Sequence, residues 1–70
     1  MSVVKVIEII SDTSGSIEEA VESAVREASE TVNDIKEVWV SSIKAIVDGA
    51  SVSGYRVTTK ISFVVRSDRD

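Results

Sequence analysis

The 70-residue sequence contains no cysteine, no histidine and no proline. The absence of cysteine excludes a disulfide, and the absence of both cysteine and histidine excludes the usual zinc sites. It also removes the thiolate and the imidazole on which most nucleophilic catalysis depends. The three glycines form no phosphate-binding loop. We therefore expect a protein that is not an enzyme.

Basic residues are also few. Eight Lys and Arg stand against 12 Asp and Glu, which gives a formal net charge of −4. This balance argues against a nucleic-acid partner, since such proteins present a basic face. The N-terminal segment lacks the pattern of a signal peptide, and no apolar run approaches the roughly 20 residues of a membrane span. We expect no membrane association and a cytoplasmic location.

Residues 16–32 form the clearest helical pattern. Glutamates and Arg26 line one side, and Ser16 followed by Glu19 has the spacing of an N-terminal capping box. The apolar positions recur every three or four residues and define one buried stripe. They are Ile17, Ala20, Val21, Ala24, Val25, Ala28 and Val32.

Three β-branched segments predict strands at residues 3–10, 36–47 and 55–66. Residues 11–15 are predicted to be a turn, Asn33 and Asp34 the exit from the helix, and residues 48–54 a hairpin connection. Strict alternation in the second strand would place Glu37, Trp39 and Ile43 on one face, and Val38, Val40, Ser42, Lys44 and Ile46 on the other. In the last strand the same period gives an apolar face made of Tyr55, Val57, Thr59, Ile61, Phe63 and Val65.

The order β-α-β-β predicts a single α+β domain over residues 1–70, with the last two strands antiparallel and the first in a parallel or skipped position. One helix covers only one face of a three-stranded sheet. Apolar residues of the first strand therefore face outward, either Val4, Val6 and Ile10 or else Ile7 and Ile9, and Trp39 and Ile43 are candidates to join them. Such exposure, together with long edge strands, predicts an obligate homo-oligomer.

Several short motifs, in this order and spacing, resemble the dodecins. They are KVIEI, TSGS followed by SIEEAVESAV, EASETVNDI and GYRVTTKISF, and they cover nearly the whole chain. The resemblance implies a three-stranded antiparallel sheet wrapped around one helix, with twelve copies assembled into a hollow shell. It further implies a non-enzymatic role in storing or sequestering a flavin (FMN, riboflavin or FAD), bound in pairs between subunits.

The resemblance also identifies the flavin-site equivalents as Glu37, Trp39, Lys44 and Arg56. Glu37 stands where the family has a flavin-stacking tryptophan, and Arg56 where it has a glutamine that hydrogen-bonds the ring. Lys44 keeps the charge of a basic residue that can meet a phosphate. Trp39, two residues beyond Glu37, could supply a displaced stacking surface. These replacements are similar to those in a branch that includes a calcium-binding dodecin.

Each of these residues also has a simpler interpretation. Glu37 and Arg56 are expected to form a cross-strand or inter-subunit ion pair, Trp39 to anchor a subunit interface, and Lys44 to be solvated. For calcium the chain offers no EF-hand loop, although symmetry axes can gather carboxylates from several subunits. The alternative function is thus a flavin-free assembly that binds metal ions such as calcium or serves as a scaffold.

Overall fold

The structure is a computed structural model that describes residues 2–67. It contains the four elements in the predicted order: strand β1 (Ser2–Thr13), helix α1 (Ile17–Ala28), strand β2 (Ile35–Asp48) and strand β3 (Ser51–Ser67). None of the helices among the described residues is long and apolar enough to cross a membrane.

Helix α1 begins at the predicted capping box. Ser16 Oγ accepts a hydrogen bond from the Glu19 amide at 3.1 Å, and Glu19 Oε1 accepts one from the Ser16 amide at 3.0 Å. The helix ends at Ala28, four residues before the predicted end at Val32, because the hydroxyl of Ser29 turns back to the Arg26 carbonyl. Side chains of this kind compete with the helical backbone and favour helix ends.

The chain reverses into β2 at Asn33 and Asp34, the residues predicted as the exit, although the helix itself ends at Ala28. Asp34 has a left-handed backbone conformation with φ 63°, which short polar side chains tolerate better than others. Its carbonyl accepts a hydrogen bond from the Val64 amide at 3.1 Å. The reversal therefore starts β2 against the far end of β3.

Strand β1 is longer than predicted, and the predicted turn at residues 11–15 is wrong for its first three residues. Ser11, Asp12 and Thr13 pair with Val57, Arg56 and Tyr55 of β3. Asp12 bonds the Arg56 side chain instead of its own backbone, so it does not nucleate a turn. Backbone pairing across the sheet overrides a local preference for turns.

Strand β3 is the central strand, since the order across the sheet is β1-β3-β2 and both pairings are antiparallel. The first strand thus takes the skipped position. The connection between β2 and β3 is only Gly49 and Ala50, not the whole of residues 48–54. Gly49 has φ 66°, which glycine adopts without steric cost.

The core lies between α1 and one face of the sheet. Ala20, Ala24 and Ala28 are buried, and their small side chains let the helix approach the strands closely. Alternate residues of β3 meet them, as the period of two predicted, although Val65 is 48% exposed. The buried residues of β3 on this face are Val57, Thr59, Ile61 and Phe63.

Strand β2 departs from the strict alternation that the sequence suggested. Its pairing with β3 skips one residue between Val40 and Ser42, which is a β-bulge. Beyond the bulge the two faces exchange, so Ser42, Lys44 and Ile46 do not share a face with Val38 and Val40. Ile43 joins Val38 and Val40 instead, and the predicted assignment of Lys44 and Ile43 is wrong.

Candidate functional site on the open face of the sheet

All four predicted site residues project from the sheet face that carries no helix, which we call the open face. Directly paired residues of neighbouring strands point to the same side, so the strand register assigns each side chain. Lys44 lies opposite Arg56, Trp39 opposite Lys60, and Glu37 opposite Ser62. Strand β1 adds Val4, Val6, Glu8, Ile10 and Asp12 to the same face.

The open face is largely apolar along β1. Val4, Val6 and Ile10 are 51%, 55% and 59% exposed, and Trp39 on β2 is 63% exposed. The prediction that apolar residues of the first strand face outward is confirmed, and of the two sets that the sequence left open the outward one is Val4, Val6 and Ile10, while Ile7 and Ile9 pack against the core. Ile43 is also exposed, but on the helix-bearing face because of the bulge. Several large apolar side chains exposed on one face are typical of an interaction surface.

Arg56 is held by Asp12 across the sheet. Its Nε and Nη2 donate to Asp12 Oδ1 and Oδ2 at 2.8 and 3.0 Å, which is a bidentate pair. The hydrogen bond from Arg56 lowers the pKa of the Asp12 carboxyl, and the same bond raises the pKa of Arg56. The Arg56 guanidinium is therefore bonded to Asp12, a residue that the sequence predicted to lie in a turn.

This pair replaces the predicted cross-strand pair between Glu37 and Arg56, which is wrong within one protomer. Glu37 lies opposite Ser62, six residues along β3 from Arg56, or about 20 Å at the rise of a β-strand. Among residues 2–67, Glu37 has no ion-pair partner. The inter-subunit form of the pair stays a prediction.

Trp39 carries a cation over its ring. Lys60 Nζ lies 4.9 Å from the ring centroid, which is within the range of a cation–π contact. Sequence reasoning missed Lys60, and only the hairpin register could have found it, since that register places Lys60 directly opposite Trp39. A ligand that stacks on this face of Trp39 must first displace the ammonium group.

Lys44 completes a row of three charges that crosses the sheet from Asp12 through Arg56 to Lys44. Like charges directly opposite each other on neighbouring strands are destabilising. Asp12 neutralises one of the two cations, and Lys44 has no ion-pair partner in the described part of the chain. The row therefore carries one excess positive charge on its β2 side.

The carboxylates of the open face do not converge. Glu8, Asp12 and Glu37 occupy three different rows, opposite Lys60, Arg56 and Ser62. No group of three or more acidic side chains with metal-binding geometry lies among residues 2–67 of one protomer. A calcium ion takes six to eight oxygen ligands, so a site on this face would have to draw on more than one subunit.

Comparison with known proteins gives a consistent result. A family model described as Dodecin matches residues 3–66. The curated protein calcium dodecin of Mycobacterium tuberculosis is 39% identical over 66 residues, which cover 94% of this chain and 93% of that protein.

Solved structures agree with this result. The crystal structure of calcium dodecin from Mycobacterium tuberculosis, described as a calcium-chelating antigen with a calcium-binding site, matches with a TM-score of 0.78 at 36% identity and covers 99% of each chain. The dodecin of Streptomyces coelicolor matches with a TM-score of 0.84 over 96% of each chain. At 21% identity, the second likeness concerns the fold alone.

Proposed function

This chain belongs to the dodecin family, and on that premise we propose that twelve copies of it assemble into a non-enzymatic shell that holds a small ligand between subunits. The observation that carries the proposal is the open face. Val4, Val6 and Ile10 are each more than half exposed, and the single helix lies on the other side of the sheet. A second copy laid on this face removes those side chains from water.

The charges of β2 suit such a contact. The strand carries Glu37 toward one end of the open face and Lys44 toward the other. In a two-fold contact whose axis runs across the strands, the same patch meets itself with the strands reversed, so that Glu37 of one copy lies toward the cations of the next. Opposite charges then face each other across the interface, and the inter-subunit pair between Glu37 and Arg56 or Lys44 becomes available.

For the ligand, we propose calcium in preference to flavin. The relative that is 39% identical is a calcium dodecin, and two of the three residues expected to hold a flavin are replaced here by Glu37 and Arg56. Arg56 is tied to Asp12, so it is not free to meet a ring edge. Glu37 offers carboxylate oxygens and no stacking surface, which suits a hard cation.

Mass measurement tests the proposed shell, and calcium titration tests the proposed ligand. Light scattering should give a species of twelve 7.5 kDa chains, about 90 kDa. Titration of the chelator-treated protein should show calcium binding, which Glu37→Gln weakens and Glu22→Gln, a matched change on the solvated helix face, does not. A folded monomer at micromolar concentration would refute the shell, and an assembled protein without calcium binding would refute the ligand.

Flavin binding is the second candidate because Trp39 is the most exposed large apolar side chain on the open face. Its ring, once freed of Lys60, is a surface on which an isoalloxazine could stack. We expect no quenching of riboflavin fluorescence by the wild-type protein. The double variant Glu37→Trp with Arg56→Gln should gain it, and quenching by the wild type would favour the flavin interpretation.

A further inference from the structure

The β2–β3 hairpin extends beyond the three-stranded part of the sheet. Strand β1 ends at Thr13, opposite Tyr55, so residues 46–54 form a ribbon of two strands only. Two-stranded ribbons are marginally stable alone in water. At the end of this ribbon Val47 and Val52 lie directly opposite each other and are 62% and 56% exposed. We call residues 47–52 the hairpin tip.

A cleft of about 330 Å³ lies at the opposite end of the protomer, between the segment that follows α1 and the end of β3. Its exposed lining is mixed, with somewhat more polar than apolar surface, and Val65 in its wall is 48% exposed. We call it the end cleft. It is lined by Thr31, Val32, Asn33, Phe63, Val64 and Val65.

The two surfaces carry opposite charges. Asp48 is the last residue of β2 before the turn, and Lys5 lies directly opposite Phe63, beside the end cleft. Both side chains are exposed, and neither has an ion-pair partner within residues 2–67. The tip therefore offers an anion and two valines, and the cleft offers a cation beside the exposed side chain of Val65.

The hairpin tip cannot reach the end cleft of its own protomer. Val52 and Phe63 are separated by eleven residues of one continuous strand, or about 36 Å. The protomer is 58 Å long in its largest dimension, and the two surfaces lie toward its opposite ends. Only another molecule can bring them together.

We propose that the hairpin tip of one copy docks into the end cleft of a neighbouring copy, with Val47 and Val52 against Val32 and Val65 and with Asp48 beside Lys5. This contact rests on the self-assembly proposed above and adds a second, head-to-tail interface to the open face. A head-to-tail interface forms a ring when its rotation closes. Together with a two-fold contact through the open face, it lets copies close into a shell.

Charge reversal tests this contact. Lys5→Glu and Asp48→Lys should each raise the concentration at which the assembly half-dissociates by roughly tenfold or more, because each places like charges together across the interface. The double variant should return to within about threefold of the wild type, since it restores an opposite pair. Assembly is followed by light scattering, and the fold of each variant by far-UV circular dichroism.

The apolar part of the contact is tested by Val52→Asp, with Val52→Ile as the matched control. Val52→Asp should leave a folded species of no more than two chains, and Val52→Ile should assemble as the wild type does. If the wild type is itself monomeric, self-assembly is wrong. If Val52→Asp and both charge reversals assemble like the wild type, the tip-to-cleft contact is overturned while self-assembly stands.

Discussion

Val6→Asp is the sharpest test of the open face, because Val6 is 55% exposed in the protomer and lies in the same row as Glu37 and Ser62. Complete burial of a valine side chain is worth about 1.5–3 kcal/mol, so covering the exposed half of Val6 contributes roughly 1 kcal/mol per copy. Burial of an unpaired carboxylate costs several kcal/mol in addition. The loss of binding free energy is therefore about 4 kcal/mol for each substituted copy, and each such loss weakens the contact about a thousandfold.

The assay is light scattering over a range of protein concentrations, with far-UV circular dichroism to confirm that the variant is folded. The folded protomer should lose little, since Val6 faces away from the helix. Ser23→Asp is the matched control, because it adds the same charge on an exposed position of α1 and leaves the open face unchanged. A Val6→Asp protein that assembles at the wild-type concentration would show that the open face does not drive assembly.

Two further predictions concern the protomer itself. Gly54→Ala should destabilise it by about 1–3 kcal/mol in urea unfolding, because a Cβ there would collide with the Thr13 carbonyl oxygen. Gly49→Ala meets no atom and should cost only the roughly 1–2 kcal/mol of its left-handed backbone. A Gly54→Ala protein as stable as the wild type would contradict this reasoning. Arg56 depresses the pKa of Asp12 below its ordinary value of 3.8, so the stabilisation is complete above that value and is lost as the pH falls through the folded-state pKa. The difference in unfolding free energy between the wild type and Asp12→Asn should accordingly hold above the ordinary value of 3.8 and shrink as the pH falls below it, and a difference that stays constant well below pH 3.8 would refute the assignment.

Local patterns in the sequence were sufficient for the start of the helix and for the element order. The capping box at Ser16 and Glu19 and the alternation of β3 both depend on residues that are close in sequence, and the structure confirms both. A count of faces predicted that apolar residues of β1 point outward, because one helix cannot cover both sides of a sheet, but it left open which of the two faces of β1 they occupy. Inferences of this kind need no knowledge of the register.

The register itself could not be predicted, and the wrong expectations for Asp12, Ile43, Lys44 and the pair between Glu37 and Arg56 trace to it. Asp12 belongs to a turn cluster by composition, yet 44 residues separate it from the arginine that keeps it in β1. The bulge after Val40 leaves no clear sign in a run of small and β-branched residues, although Ser41 Oγ donates to the Thr58 carbonyl across it. One inserted residue exchanges every later side chain between the two faces.

That single insertion determines the composition of the candidate site. Without it, Lys44 would project toward the helix-bearing face, and Ile43 would extend the apolar part of the open face beside Trp39. With it, Lys44 joins Arg56 and Asp12 in one row, and the open face gains a charge of the sign opposite to Glu37. An open face with apolar side chains along β1 and opposite charges toward the two ends of β2 is complementary to itself in a reversed orientation. The bulge therefore makes this face suitable for pairing with a second copy, where strict alternation would have left Glu37 as the only charge that β2 contributes.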